Sequence, residues 1–331
     1  MNNSIQFFRG FAILIIFLHH VYGAGTSGAW SNLLPPDNWI YYTFRSGAFG
    51  VDIFFIIAGY LAAGSFKRYD SLYVYLKSRA IRIYPVYIAV LLFVFFIGPV
   101  SGHSWLSEVS PAGWLKGFIV NLLLLPGIFD FPIAIPIAWC LSYIGIFYVL
   151  WGLFYRAYSK RKQSWIFYIQ MTLVVVIVLV VMYLLPRFIY FIVGIAVYYS
   201  PQQKVSSWAG SISLVVMLSL LSVARICYVP IVLVSSVFGY VFFLWVVNTR
   251  ISNGVMTFLG NISYSFFLAH TFIMYPVKVI FVRTGITIDH PYSGLALYSI
   301  VSFFLSVFAA WVLYTFLENR SLRVRLAEQR N

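Results

Sequence analysis

The chain has 331 residues, of which 62% are hydrophobic and only 9% charged. A globular protein of this length carries roughly a quarter charged residues, which excludes a soluble enzyme, a disordered chain and a nucleic-acid-binding module. What remains is an all-α, polytopic integral membrane protein. The net charge of +14 then reads as topogenic, because Lys and Arg accumulate in cytoplasmic loops, and no nucleic-acid partner is expected.

The N-terminus carries no cleavage pattern of a secretory signal: Arg9 leads into a long apolar run, read as a retained first helix. A bilayer core needs roughly 20 mostly apolar residues per helix. Runs of this kind predict spans near 7–25, 47–64, 82–99, 139–156, 164–184, 188–200, 207–224, 229–248, 255–277 and 293–317. The run 188–200 is short and forms a tight hairpin with its predecessor across Pro186. The stretch 114–128 ends at Pro126 and Gly127 and precedes Asp130, Pro132 and Pro136. It reads as a short re-entrant or interfacial helix, since a broken helix is tolerated only under protein cover.

Charge placement supports about ten transmembrane helices with both termini cytoplasmic. That topology puts Arg9, Lys67, Arg68, Lys77, Arg79, Arg82, the Arg156–Lys162 cluster, Lys204, Arg250 and the arginines from Arg320 onward inside. Arg45, Lys116, Arg187, Arg225, Lys278 and Arg283 fall outside or near the outer face. Counting 114–128 as a full span would turn the Arg156–Lys162 cluster outward, against the positive-inside rule. The expected organisation is one transmembrane domain over residues 1–331, with a basic cytoplasmic tail from about 318. Cys140 and Cys227 lie in or beside apolar stretches and make neither a disulfide framework nor a metal-ligand spacing.

Charged and imidazole groups inside a span are costly and mark function by default. In the first helix Arg9 and His20 are 11 positions apart, within about 20° of one face and about 16 Å apart in depth. His19 points about 100° away. A snorkelling arginine with a histidine at a helix end accounts equally well for these two residues alone. Asp52, in Gly50-Val51-Asp52-Ile53-Phe54-Phe55, lies 12 residues before Gly64 at the inner end, about 18 Å. Since this helix runs the opposite way, Asp52 is expected to reach a depth similar to His20 on the adjacent helix. A carboxylate there would fix the tautomer of His20 and support it as a general base, or would simply cap a helix start. Arg79 and Arg82 share a helical face at the cytoplasmic boundary, suited to clamping phosphates or to lipid anchoring. Ser263 and His270 share a face of the ninth span, where small residues also suit close packing. His103, Glu108 and His290 read as solvated in outer loops. The sequence contains no nucleotide-binding glycine loop, metal-ligand cluster or serine-nucleophile elbow, and no metal is expected.

Taken together, these segments resemble the integral membrane acyltransferase-3 family, whose members transfer acyl groups, commonly acetyl, to cell-surface glycans and related acceptors. The resemblance rests on Arg9 with ten residues before His20, and on Gly50 to Phe55 followed by Ala58-Gly59-Tyr60. It also rests on Arg79-Ala80-Ile81-Arg82 with Pro85, on Trp139-Cys140-Leu141-Ser142 with Phe147-Tyr148, on Gly260 to Ser265 running on to His270, and on Phe316-Leu317-Glu318. Ala58 stands where serine is usual, Ile144 where a glutamate is usual, and Arg320 where proline is common. The chain lacks the extracytoplasmic esterase-like domain of some members, so it would act alone or with a separate glycan-assembly partner.

The resemblance implies a ten-helix enzyme of the bacterial plasma membrane that takes acetyl-CoA from the cytoplasm and acylates a glycan or lipid-linked sugar across the bilayer. It implies His20 as catalytic base, with Arg9, Arg79 and Arg82 binding or positioning the acyl-CoA, and the depth reading adds Asp52 as the group that orients His20. Tyr60, Trp139, Ser263 and His270 would line the path of the acyl group. Two other classes fit parts of the pattern. One is a secondary transporter or flippase for a sugar or glycan lipid, which would use the buried His, Asp and Arg as a relay. The other is an inactive scaffold relative, encouraged only by Ile144.

Overall fold

Long apolar runs set the architecture, and the helices continue through Pro85 and Pro276. The computed structural model describes residues 3–25, 39–65, 69, 71–101, 106, 109–159, 164–200, 204–222, 228–285 and 291–320. Its helices are α1 (Asn3–Gly25), α2 (Trp39–Ser46), α3 (Gly50–Ser65), α4 (Leu72–Ser101), α5 (Pro111–Leu122), α6 (Trp139–Ser159) and α7 (Ser164–Leu184). They continue as α8 (Ile189–Tyr199), α9 (Ser207–Ser222), α10 (Tyr228–Asn248), α11 (Gly254–Asn261), α12 (Ser263–Thr284) and α13 (Pro291–Leu313). A 3-10 turn, Gly47–Phe49, joins α2 to α3, and a π-helical turn, Tyr314–Glu318, extends α13. No strand occurs among the described residues. His103, Glu108, His290, Lys67, Arg68, Arg225, Cys227, the Lys160–Lys162 cluster and the tail from 321 lie outside the described residues.

The protein is an all-helical, polytopic membrane protein. Eight helices are long and apolar enough to cross a bilayer: Asn3–Gly25, Thr43–Ser65, Leu72–Pro99, Trp139–Tyr158, Phe167–Leu184, Tyr228–Asn248, Ser263–Thr284 and Tyr292–Glu318. The other two expected spans are the shorter apolar helices Pro186–Tyr199 and Ser207–Ser222. At 1.5 Å per residue these reach about 21 and 24 Å, short of a hydrocarbon core of about 30 Å. Helix α7 is apolar around its circumference and buries only Val174 among its described residues, the pattern of a span whose sides face hydrocarbon.

The chain forms two compact units, residues 1–65 with 181–310, and residues 66–180 with 311–331. In the first unit α3 and α8 touch backbone to backbone. A methyl group on Gly59 would fall inside the Phe191 carbonyl, and one on Gly194 inside that of Ile56. Any side chain at either position would force the helices apart.

In the second unit the predicted short helix is α5. Ser110 accepts from the Gly113 amide (3.2 Å) with Pro111 in the first turn, a favourable helix start. Twelve residues span only about 18 Å, and the chain then runs irregularly to α6. Leu124 (φ 56°) and Gly127 (φ 91°) take left-handed conformations, and Gly127 sits against Trp139, leaving no room for a side chain. Buried Asn121 holds this segment. It donates to the carbonyls of Gly117 (2.9 Å) and Pro132 (3.0 Å), accepts from the Ala134 amide (3.0 Å), and its own carbonyl accepts from Tyr87 Oη (2.6 Å). Ser142 Oγ donates to the Pro126 carbonyl at 2.6 Å. Irregular backbone is thus supplied with partners, as non-helical chain away from water requires.

Candidate functional site

Within the first unit, α1 runs parallel to α11 and α12, tied to them at successive heights. Near its start, Ser4 Oγ donates to the Thr249 carbonyl (2.6 Å) and accepts from the Ile251 amide (3.0 Å). Next, Gln6 Nε2 donates to Asn261 Oδ1 (2.6 Å), and Arg9 Nη1 donates to Gln6 Oε1 (3.1 Å). The backbones meet here: a Cβ on Gly10 would overlap the Met256 carbonyl, and one on Gly260 the Gln6 carbonyl. Higher up, Phe17 packs edge-on to Phe266, ring centres 6.0 Å apart. At the far end Lys278 Nζ donates to the Ala24 carbonyl (2.7 Å), a cation on a C-terminal carbonyl of α1.

This register brings His20 against His270. Their rings stack with centres 5.0 Å apart and planes 24° from parallel. Phe266 covers the ring of His270 at 5.4 Å and 12°. His270 is fully buried, with Nδ1 3.0 Å from the Phe266 carbonyl. That bond requires a proton on Nδ1 and leaves Nε2 of the neutral ring as an acceptor. Nε2 of both histidines is buried and has no hydrogen-bond partner among the described residues. Ser263 Oγ, two turns from His270 on α12, is likewise buried and without such a partner. His19 turns aside, its Nδ1 3.2 Å from the Phe44 carbonyl.

Asp52 is not the partner of His20, which corrects the expectation from sequence. Its carboxylate is fully buried and receives two hydrogen bonds from Arg187, Nε to Oδ1 at 2.8 Å and Nη2 to Oδ2 at 2.9 Å. Arg187 also lies over the Phe49 ring, 5.2 Å from its centre. The reason is axial offset. A methyl on Gly50 would touch Ala12, Ile15 and Ile16 of α1. Asp52 therefore stands roughly 10 Å deeper along the antiparallel helices than His20. Near this pair, Tyr190 Oη and Ser235 Oγ are 2.6 Å apart, joining α8 to α10.

Tyr60, also in this unit, packs edge-on to Tyr198 (5.5 Å) and Phe243 (5.4 Å). In the second unit Arg79 and Arg82 differ in environment. Arg79 is buried, its guanidinium carbon 4.9 Å from the ring centre of Tyr75, 5.0 Å from Tyr148 and 6.0 Å from Tyr69. Arg82 is half-buried, and no aromatic ring of the described residues covers its guanidinium. Trp139 lies edge-on to Tyr143 at 5.3 Å. Ile144 is half-buried on α6, Asp130 is exposed, and Glu318 is buried. No group of three His, Cys, Asp or Glu side chains suited to a metal ion occurs among the described residues.

The family model of an acyltransferase domain matches residues 2–315, nearly the whole chain. The chain belongs to the acyltransferase-3 family. No curated protein and no solved structure matches it. Membership makes it a membrane acyltransferase by family, and in this acyltransferase the residues named from sequence divide between the two units: Arg9, His20, Asp52, Tyr60, Ser263 and His270 in one, Arg79, Arg82 and Trp139 in the other.

Sequence reasoning placed Arg187 near the outer face and missed its pairing. The available signal was chemical: a buried carboxylate needs a cation, and this acyltransferase has only 8 acidic residues. Gln6, Asn261 and Lys278 carried no signal of their own, since their partners are far away in sequence.

Proposed function

We propose that the protein moves an acyl group, acetyl in the first instance, from cytoplasmic acetyl-CoA to a hydroxyl of a cell-surface or lipid-linked glycan in the bacterial plasma membrane. The observation that carries this reading is Nε2 of His20 in the first apolar helix, buried and without a hydrogen-bond partner among the described residues. A ring nitrogen kept dry and unbonded is available to take a proton from a substrate. His20 Nε2 accepts the proton of the acceptor O–H while that oxygen attacks the thioester carbonyl. The C–S bond then breaks, and the departing CoA thiolate takes the proton from the imidazolium, returning His20 to its neutral form. Exclusion of water from this site protects the thioester from hydrolysis.

Among the arginines, Arg82 is assigned to the phosphates of the donor, because its guanidinium is not enclosed by aromatic rings. Arg79 supports that helix face from inside its tyrosine cage, and Arg9 fixes the inner end of α1 through Gln6. Asp52 acts through Arg187, securing α3. Tyr60 and Ser263 are assigned to the walls around the acyl group.

The test uses purified protein in lipid nanodiscs with acetyl-labelled acetyl-CoA and a crude glycan extract. The reading expects label in the glycan and free CoA to rise together, both dependent on the extract. Absence of acetyl-CoA binding and of CoA release, across several acyl chain lengths and acceptor extracts, would overturn it.

A further inference from the structure

His270 is chemically out of place unless it has a second task. It follows Phe266 and Phe267 in a helix that buries this face. A phenylalanine at 270 would complete the stack on His20 and leave no polar atom in need of a partner. The imidazole instead commits its Nδ1 proton to the Phe266 carbonyl and presents Nε2 as a bare acceptor, fully buried and without a partner among the described residues. A buried acceptor left unpaired lowers stability, so the arrangement favours a state in which something donates to it. The ring cannot swing away to water, because Phe266 closes one face and His20 the other.

From the stacked pair we infer that His270 Nε2 is a hydrogen-bond acceptor for the acyl acceptor molecule, receiving one of its O–H groups while His20 deprotonates the reacting one. The inference rests on the reading of His20 as general base. It makes the acceptor a molecule with more than one hydroxyl, as sugars are, because two nitrogens on rings centred 5.0 Å apart address two separate O–H groups. His270 transfers no proton in this account. It holds the acceptor, and its loss falls on acceptor turnover, leaving donor binding intact.

The test compares wild type, His270→Phe, His270→Gln and His20→Ala in nanodiscs, with labelled acetyl-CoA and the glycan extract, reading turnover, acetyl-CoA affinity and melting temperature. His270→Phe keeps the stack without the acceptor. It should melt at or above the wild-type temperature and bind acetyl-CoA within about twofold, while turnover drops about tenfold or more. His270→Gln, whose amide oxygen accepts hydrogen bonds, should regain part of that loss. If His270→Phe fails to fold, His270→Met serves as the variant without an acceptor. Wild-type turnover in whichever of the two folds would overturn the assignment of His270. Wild-type turnover in His20→Ala would instead overturn the general base on which it rests.

Discussion

Face-to-face stacking of His20 on His270, with ring centres 5.0 Å apart, joins two helices from opposite ends of the chain. It exists because α1 and α11–α12 are parallel and fastened at several heights, from Gln6–Asn261 to Ala24–Lys278. The pair sits on a rigid support, which is how a group that must meet a substrate at fixed geometry is best held.

The Asp52–Arg187 pair is a structural joint, so its loss should register first in stability. Asp52→Asn leaves a buried guanidinium without its charge partner, an effect of about 3–5 kcal/mol in buried pairs. The expected outcome is a marked fall in melting temperature and folded yield, and replacement of both residues by leucine should recover a substantial part. An Asp52→Asn protein that melts like wild type but turns over slowly would instead place Asp52 in the chemistry.

Arg79 and Arg82 should separate by phenotype. Arg79→Lys loses the planar ion held among Tyr69, Tyr75 and Tyr148, with a cost of about 0.5–2 kcal/mol, read as a lower melting temperature. Arg82→Ala should leave melting nearly unchanged and weaken acetyl-CoA binding about tenfold or more, the value of a charge-assisted hydrogen bond. Equilibrium dialysis with labelled acetyl-CoA, alongside thermal melts, measures both.

The contact of α1 with α11 tolerates no side chain at Gly260. Gly260→Val should cost about 1–3 kcal/mol or more by forcing the Gln6 backbone away, and should break the Gln6–Asn261 bond. The check is the fraction of monodisperse protein in size-exclusion chromatography. A wild-type profile would contradict the backbone contact.

Asn121→Leu removes the three side-chain bonds through which Asn121 holds the segment between α5 and α6, leaving Ser142 on the Pro126 carbonyl. Taking the Asn121 partner from the Ala134 amide and the Pro132 carbonyl should cost about 1–3 kcal/mol for each of the two groups that stays buried and unpaired, while the Gly117 carbonyl keeps its helical bond. Limited proteolysis should show faster cleavage between residues 123 and 138.

How much of this was legible follows from the kind of signal each feature leaves. Eight of the ten expected spans were legible because apolar length alone decides them. The short helix expected over 114–128 was legible in place but not in bounds: α5 covers Pro111–Leu122, and the chain leaves the helix before Leu124 (φ 56°), ahead of Pro126 and Gly127. The start of α4 at Leu72 was not, since Lys77 and Arg79 interrupt the apolar pattern, although Arg79 is buried among tyrosines. The division of 255–277 into α11 and α12 at Ile262 was hidden for the opposite reason. Ile262 is apolar, and its non-helical backbone (φ −87°, ψ 4°) carries no sequence mark. Arg9, His20 and His270 stood out as polar groups in apolar helices. Their partners did not, because relative helix depth is set by packing: Gly50 against Ala12–Ile16 places Asp52 beyond reach of His20 and in reach of Arg187.

The central claim is that His20 takes the proton. The most direct measurement is acetyl transfer from labelled acetyl-CoA in nanodiscs by wild type and His20→Ala at saturating donor, with acetyl-CoA affinity and melting temperature measured on the same preparations. The account predicts unchanged folding, donor affinity within about twofold, and transfer slower by about 10²–10⁴-fold, the usual contribution of a general base. Transfer by His20→Ala at the wild-type rate would contradict it.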